Sequence, residues 1–226
     1  MKKVPLTITE PASAAAFALK EISGLTRWPR LEAVRGLRLA AEQGEAEAQC
    51  ALGAACFWGD WVLADPAEAA RWFRLAAEQG NAQAQCFLGE IYDLGLDLEI
   101  GVENEKAEAL KWYRLAAEQG HAKAQMRLGD AYRLGEGAEK DKAEAVKWYR
   151  LAAEQGLAEA QCALGQAYYW FGEGVEENEA EAVRWFRLAA EQGQAEAQCA
   201  LGVAYYYGEG VEESKDVALS WYLMAA

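Results

Sequence analysis

The 226-residue chain has a single histidine, His121. It follows Gly120 at a position that varies between otherwise similar segments, so it reads as a surface residue at a helix start. With one imidazole, no Ser-His-Asp set, zinc-ligand spacing or Cys-His pair is in evidence, and no Gly-rich stretch carries the Lys-Ser/Thr of a phosphate loop. No cofactor and no metal are expected. Apolar runs are short: none reaches 18 residues, so no membrane span is expected. Alternating strand-forming runs are missing. Basic residues are in deficit, with 22 Lys and Arg against 36 Asp and Glu and a net charge of −14. The imbalance is uneven, +3 over residues 1–44 and −17 over the rest. An acidic body repels phosphate backbones and argues against nucleic acid as a partner; it suits a solvated surface or a basic protein partner.

Cysteine is sparse and regularly placed. Four of the five cysteines, Cys50, Cys86, Cys162 and Cys199, share one position in a repeating pattern. Equivalent positions on neighbouring helices are about 8–10 Å apart, beyond the ~4.4–6.8 Å between Cα atoms that a disulfide needs. Free thiols acting as small apolar core residues fit a reducing, cytoplasmic compartment, with the periplasm as the alternative. Met1-Lys2-Lys3 resembles the start of a signal peptide, but Glu10 and Pro11 interrupt the apolar stretch and no clean cleavage site follows. The segment therefore reads as part of the mature fold.

What the chain has in abundance is repetition. Leu-Ala-Ala-Glu-Gln-Gly occurs at Leu39–Gly44, Leu75–Gly80, Leu115–Gly120, Leu151–Gly156 and Leu188–Gly193, with glycine spacings of 36, 40, 36 and 37 residues. A period of this size is the mark of a repeat array. With Ala, Glu, Leu and Trp dominant, an all-α solenoid of helix pairs follows. The expected organisation is one repeat domain over 1–226: a lead over 1–8, a degenerate, arginine-rich cap repeat over 9–44, full repeats over 45–80, 81–120, 121–156 and 157–193, and a truncated last repeat over 194–226.

Each repeat is expected to hold two helices. The first opens after the glycine and carries Tyr92, Tyr132, Tyr168 and Tyr205 at one position, with Cys56 there in the first full repeat. Gly135-Glu136-Gly137, Gly172-Glu173-Gly174 and Gly208-Glu209-Gly210 end it. Asp65, Glu105, Asp141, Asn178 and Ser214 are the expected caps of the second helix. Asp65 with Glu68 and Asp141 with Glu144 are spaced as capping boxes, and Pro66 sits where its missing N–H costs nothing. Trp72, Trp112, Trp148, Trp185 and Trp221 recur on that helix and are expected in the core, with Leu75, Leu115, Leu151 and Leu188 on the same face. Gly53, Gly89, Gly129, Gly165 and Gly202, inside the first helices, imply close helix approach, since mid-helix glycine otherwise costs roughly 0.5–1 kcal/mol.

These residues resemble the Sel-one-like repeat family: Ala-x-x-x-Leu-Gly-x-x-Tyr, then Gly-x-Gly, then Ala-x-x-Trp-x-x-x-Ala-Ala-x-Gln-Gly. Residues 121–156 carry the pattern nearly intact in Ala124, Leu128-Gly129, Tyr132, Gly135-Glu136-Gly137, Ala145, Trp148, Ala152-Ala153 and Gln155-Gly156. The resemblance spans about residues 30–226. It implies a right-handed superhelix of antiparallel helix pairs, related to tetratricopeptide arrays, and a scaffold or adaptor that binds proteins or peptides. Some bacterial members are similar to immunity proteins that neutralise toxins. A secreted branch carries a disulfide within each repeat, which does not fit here, where no second helix carries a cysteine.

Helical spacing nominates a binding face. With Ala48, Leu52 and Ala55 turned to the core, the stripe at i, i+4, i+7, i+11 of each first helix is expected to line the concave surface. It reads Glu47, Ala51, Ala54, Trp58; Gln83, Phe87, Glu90, Leu94; Lys123, Arg127, Asp130, Leu134; Glu159, Ala163, Gln166, Trp170; Glu196, Ala200, Val203, Tyr207. The stripe varies while the core does not. Aromatic and Arg side chains are common interface anchors, which makes Trp58, Phe87, Arg127, Trp170 and Tyr207 the candidate contacts. The longer loop Gly95–Gly101 lacks the ligand spacing of a calcium loop; its Leu96, Leu98 and Ile100 are a secondary contact candidate. The chain stops at Trp221–Ala226, before the Glu-Gln-Gly that closes other repeats, so an end-to-end self-contact or a removed tail is expected. The function read from the sequence is a non-enzymatic scaffold binding a protein or peptide, with a toxin-blocking immunity protein as the alternative.

Overall fold

A computed structural model describes residues 27–59, 64–95, 105–170 and 174–226. The expected lead, the first part of the cap repeat and the Leu96, Leu98, Ile100 loop lie outside the described residues. Among the described residues the chain is helical throughout, without strands. The helices are α1 (Arg27–Glu42), α2 (Ala46–Trp58), α3 (Pro66–Glu78), α4 (Ala82–Asp93), α5 (Glu105–Glu118), α6 (Ala122–Leu134), α7 (Lys142–Glu154), α8 (Ala158–Tyr169), α9 (Glu179–Glu191), α10 (Ala195–Tyr207) and α11 (Lys215–Ala225). They fall into two compact units, Met1–Trp112 and Tyr113–Ala226, divided within α5. In each unit consecutive helices pack on one another: α1 to α4 in the first, α6 to α11 in the second.

Local chemistry sets the helix ends. Asp65 accepts from the amides of Ala67 and Glu68, Asp141 from Glu144, Asn178 from Glu181 and Ser214 from Val217. The capping boxes are only half made. The Asp65 amide donates to the Cys56 carbonyl and the Asp141 amide to the Tyr132 carbonyl, both at 2.9 Å. Each loop is thereby tied back to the preceding helix instead of to the Glu three residues on. Glu105 is the first residue of α5, not its cap. His121 is a cap: its Nδ1 accepts from the Ala124 amide at 3.2 Å.

Small residues choose the buried face of the second helices. Ala69, Ala70, Phe73, Ala76 and Ala77 are buried on α3, and Ala182, Val183, Phe186, Ala189 and Ala190 on α9. This stripe is centred on the residue after the tryptophan, and it corrects the expectation of a Trp-Leu core face. Phe73, Tyr113, Tyr149 and Phe186 are fully enclosed, whereas Trp72, Trp112 and Trp148 are half-buried and only Trp185 is buried. Leu75, Leu115, Leu151 and Leu188 are exposed. One residue turns a helix by about 100°, enough to carry Trp from the centre of the contact to its margin.

The enclosed aromatics explain the mid-helix glycines. A Cβ on Gly129 would sit 2.6 Å from the Tyr149 ring, and one on Gly165 2.6 Å from the Phe186 ring. Those distances are far inside van der Waals contact, so the ring's Cδ1–Cε1 edge lies against bare backbone. The conformational cost of glycine is offset by that packing.

A polar ladder also runs through the core. Gln49, Gln85, Gln125, Gln161 and Gln198 are buried. Their Nε2 atoms donate to the carbonyls of Ala41, Ala77, Ala117, Ala153 and Ala190, near the end of the preceding helix, at 3.0–3.2 Å. The Gln of the Leu-Ala-Ala-Glu-Gln-Gly segment donates to the same side chains: Gln79 to Gln49, Gln155 to Gln125 and Gln192 to Gln161, at 2.7–2.8 Å. Each of these carbonyls also accepts from the amide of the glycine three residues on, so the buried glutamine amide fills its second acceptor site. On the surface, Arg74, Arg114, Arg150 and Arg187 each donate to the tyrosine hydroxyl of the next first helix: Tyr92, Tyr132, Tyr168 and Tyr205.

All five cysteines are free thiols. Cys50, Cys56, Cys86 and Cys162 are buried, but Cys199 is exposed. It lies on α10.

Candidate binding groove

The stripe residues of α6, α8 and α10 come together in the second unit. Lys123, Arg127 and Asp130 of α6 face Glu159, Ala163 and Gln166 of α8 and, beyond them, Glu196 of α10, around a groove of about 550 Å³. Its floor is Ala145, Tyr149, Cys162 and Ala167, and Trp170 stands at its lip. Trp170 is exposed and packs edge-to-face on Tyr169, with ring centroids 5.1 Å apart. Arg127 is exposed.

The groove walls are held from below. The Tyr149 hydroxyl donates to Asp130 Oδ1 at 2.8 Å and accepts from Arg133 Nε at 3.1 Å. Burial first, and then the Asp130 charge, push this phenol well above its ordinary pKa, so it stays a donor. Gln166 Nε2 donates to Glu196 Oε1 at 2.7 Å, linking α8 to α10 across the floor. Cys162 beneath them is pushed up to about 12, mainly by burial and then by Glu196. It is a thiol at neutral pH, not a nucleophile. Cys50 and Cys56 are raised likewise, to about 12 and about 11, again with burial as the main cause.

The other candidates lie elsewhere. Trp58 and Phe87 meet in the first unit with ring centroids 5.7 Å apart, and Phe87 stacks on buried Phe73 at 4.8 Å. Trp58 is half exposed, while Phe87 is partly enclosed and serves in part as packing. Tyr207 is exposed beside Tyr206, 4.9 Å away, and is not among the groove-lining residues. The sequence reading missed Tyr149 and Arg133, which position Asp130. The signal for Tyr149 was present: an aromatic follows every repeat tryptophan.

Among the described residues no group of three or more His, Cys, Asp or Glu is arranged to hold a metal ion. No helix among them is long and apolar enough to cross a membrane.

Helix pairs repeated in register, tied end to carbonyl by buried glutamines, define an all-α repeat solenoid, a scaffold class of fold. The Sel1 repeat family model matches residues 46–81, 82–121, 122–157, 158–194 and 195–226. The chain belongs to the Sel1 repeat family. Among solved structures it is similar to a protective antigen of uropathogenic Escherichia coli displaying an SLR fold, at 36% identity and TM-score 0.83, over 96% of this chain and 45% of that one. It spans less than half the length of that relative. It is also similar to a Sel1 repeat protein from Oxalobacter formigenes, at 34% identity and TM-score 0.83, over 96% of this chain and 82% of that one. An immunity protein from Pseudomonas aeruginosa shares the fold at 21% identity and TM-score 0.55, over 94% of this chain and 82% of that one. No curated protein matches the chain.

Proposed function

We propose that this chain is a non-catalytic scaffold that holds a segment of a partner protein in the groove of its second unit, with Arg127 and Trp170 as the anchoring side chains. The observation that supports this reading is where the repeats differ. Lys123, Glu159 and Glu196 occupy one repeat position, Arg127 and Ala163 another, Asp130 and Gln166 a third, and all of them line the groove. The enclosed residues beneath them keep their character from repeat to repeat. Different side chains on one rigid frame give each repeat its own part of a ligand to read. Tyr207 in the second unit, and separately Trp58 and Phe87 in the first, are proposed as further partner contacts.

The test is capture of the partner from a native lysate by wild type and by an Arg127→Ala/Trp170→Ala variant with unchanged circular dichroism. The partner is expected on wild type and not on the variant. Equal capture by both would sink the groove assignment. A second reading, a chain that blocks a toxin enzyme as an immunity protein does, is supported by the net charge of −14, which complements a basic partner and speeds its encounter. Recovery of an enzyme whose activity falls on binding would select it.

A further inference from the structure

The charges of the groove are sorted by helix. Among the described first helices, α6 alone carries Lys or Arg: Lys123, Arg127 and Arg133. The repeat position of Lys123 is Glu47 in α2, Glu159 in α8 and Glu196 in α10, so α6 reverses the sign found there. Arg127 takes the place of Ala51, Ala163 and Ala200. Glu159 is the one charged residue of α8, and Glu196 the one charged residue of α10. Lys123, Arg127, Glu159 and Glu196 all line the groove.

The acid of α6 is held within the frame. Asp130 accepts from the Tyr149 hydroxyl at 2.8 Å and lies 3.7 Å from Arg133 Nη2. Tyr149 stands where α3 and α9 have Phe73 and Phe186, so the hydroxyl that holds this carboxylate is an addition to the enclosed ring. What α6 presents to a ligand is therefore cationic. On the facing side, Gln166 Nε2 fixes the Glu196 carboxylate at 2.7 Å, and α8 and α10 present carboxylates alone. In a chain of net charge −14, the cationic wall is local: a ligand carboxylate is attracted there and repelled by most of the remaining surface.

We propose that the protein segment held in the groove carries an acidic side chain against Lys123 and Arg127 on α6 and a basic side chain against Glu159 and Glu196 on α8 and α10. The inference rests on the groove being the binding site. Arginine grips a carboxylate with a bidentate fork, and lysine adds a point charge beside it. A segment acidic throughout meets Glu159 and Glu196 and is rejected; one basic throughout meets Lys123 and Arg127. Opposite signs on the two sides also fix the direction in which the segment lies, because turning it round sets like charges against like. The occupant is thus a segment with both signs in one order, not a polyacidic or polybasic tail.

Random dodecapeptides displayed on phage and selected on the immobilised full chain test this. Selected peptides are expected to carry Asp or Glu and Lys or Arg in one order and at one spacing. A selected peptide, synthesised with a fluorescent label, should bind the Lys123→Glu/Arg127→Glu variant about tenfold more weakly by anisotropy, and exchange of its acidic residue for Lys should restore binding to that variant. Glu159→Lys/Glu196→Lys should weaken it to a similar degree, with recovery when the basic residue of the peptide is exchanged for Glu. Arg127, Glu159 and Glu196 are exposed, and recovery with the exchanged peptide shows that each variant is folded. Selected peptides that lack either charge, or that ignore both reversals, while losing affinity for the Arg127→Ala/Trp170→Ala variant, would overturn the charge pairing and leave the groove standing. Peptides that bind that variant as well as wild type, or no selected peptide at all, would overturn the groove reading together with it.

Discussion

The stripes of the two units occupy the same helical positions and hold different chemistry. On α2 and α4 the stripe ends in packed rings, Trp58 on Phe87 on Phe73. On α6, α8 and α10 it presents Lys123, Arg127, Asp130, Glu159 and Glu196 around an open groove. Beneath both run the same small-residue stripe, the same enclosed aromatic and the same glutamine amides. The frame carries either stripe through its one enclosed aromatic: Phe73 packs on the stripe ring Phe87 in the first unit, and Tyr149 donates to the stripe carboxylate Asp130 in the second.

That contrast can be broken at several points. The largest effect is expected where frame and stripe adjoin. Phe186→Ala, removing a fully buried ring, should cost about 3–5 kcal/mol, while Trp170→Ala on the neighbouring helix should stay within about 0.5 kcal/mol, as exposed positions do; urea denaturation followed by circular dichroism measures both. Comparable losses from the two would mean that the groove lip is part of the frame. Next comes the glycine contact. Gly165→Ala forces a methyl into the Phe186 ring and should cost about 1–3 kcal/mol by overpacking; a Tm equal to wild type would refute the close approach.

A smaller separation is expected between two glutamines on α8. Gln161→Leu removes the buried amide's two bonds, to the Ala153 carbonyl and from Gln192, and should cost about 1–3 kcal/mol. Gln166→Leu, at a partly exposed groove position, should cost less than about 1 kcal/mol. The smallest effect is in pH. Below pH 9 the core thiols are protonated in both states. Above it the unfolded chain ionises while Cys56, Cys50 and Cys162 stay protonated up to about 11 and about 12, so stability should fall as pH rises from 9 towards 12. Cys162→Ala should flatten that slope; a slope unchanged in the variant would remove Cys162 from the account.

The fold was legible because its signals are redundant. Glycine-terminated segments recur five times, and Asp65, Asp141, Asn178 and Ser214 each accept from an amide of the first turn they cap. The face of the second helices was harder. Tryptophan is the largest recurring side chain and drew the core assignment, yet the alanines at 69, 70, 76 and 77 mark where helices approach, and their mean direction points through Phe73. The glutamines were read as part of a repeated string. Their burial shows only when the preceding helix end is brought beside them, a contact between residues eight apart across a turn. At the groove, Arg127 and Trp170 could be nominated from spacing alone. That Asp130 is fixed by Tyr149 depends on a neighbouring helix and could not be read from the stripe.

The glutamine ladder has a consequence for how such a chain can grow. Each buried amide takes its acceptor from the repeat before, as Gln161 does from Ala153, and Gln49, Gln125 and Gln161 receive a donor from their own repeat, from Gln79, Gln155 and Gln192. Every connection is thus written within one unit or one step back. Duplicating a unit, or deleting one, leaves each junction with the same donors facing the same acceptors. The grammar of the ladder is local, and length is a free variable: such an array can gain or lose ligand-reading positions in whole-unit steps without composing a new core.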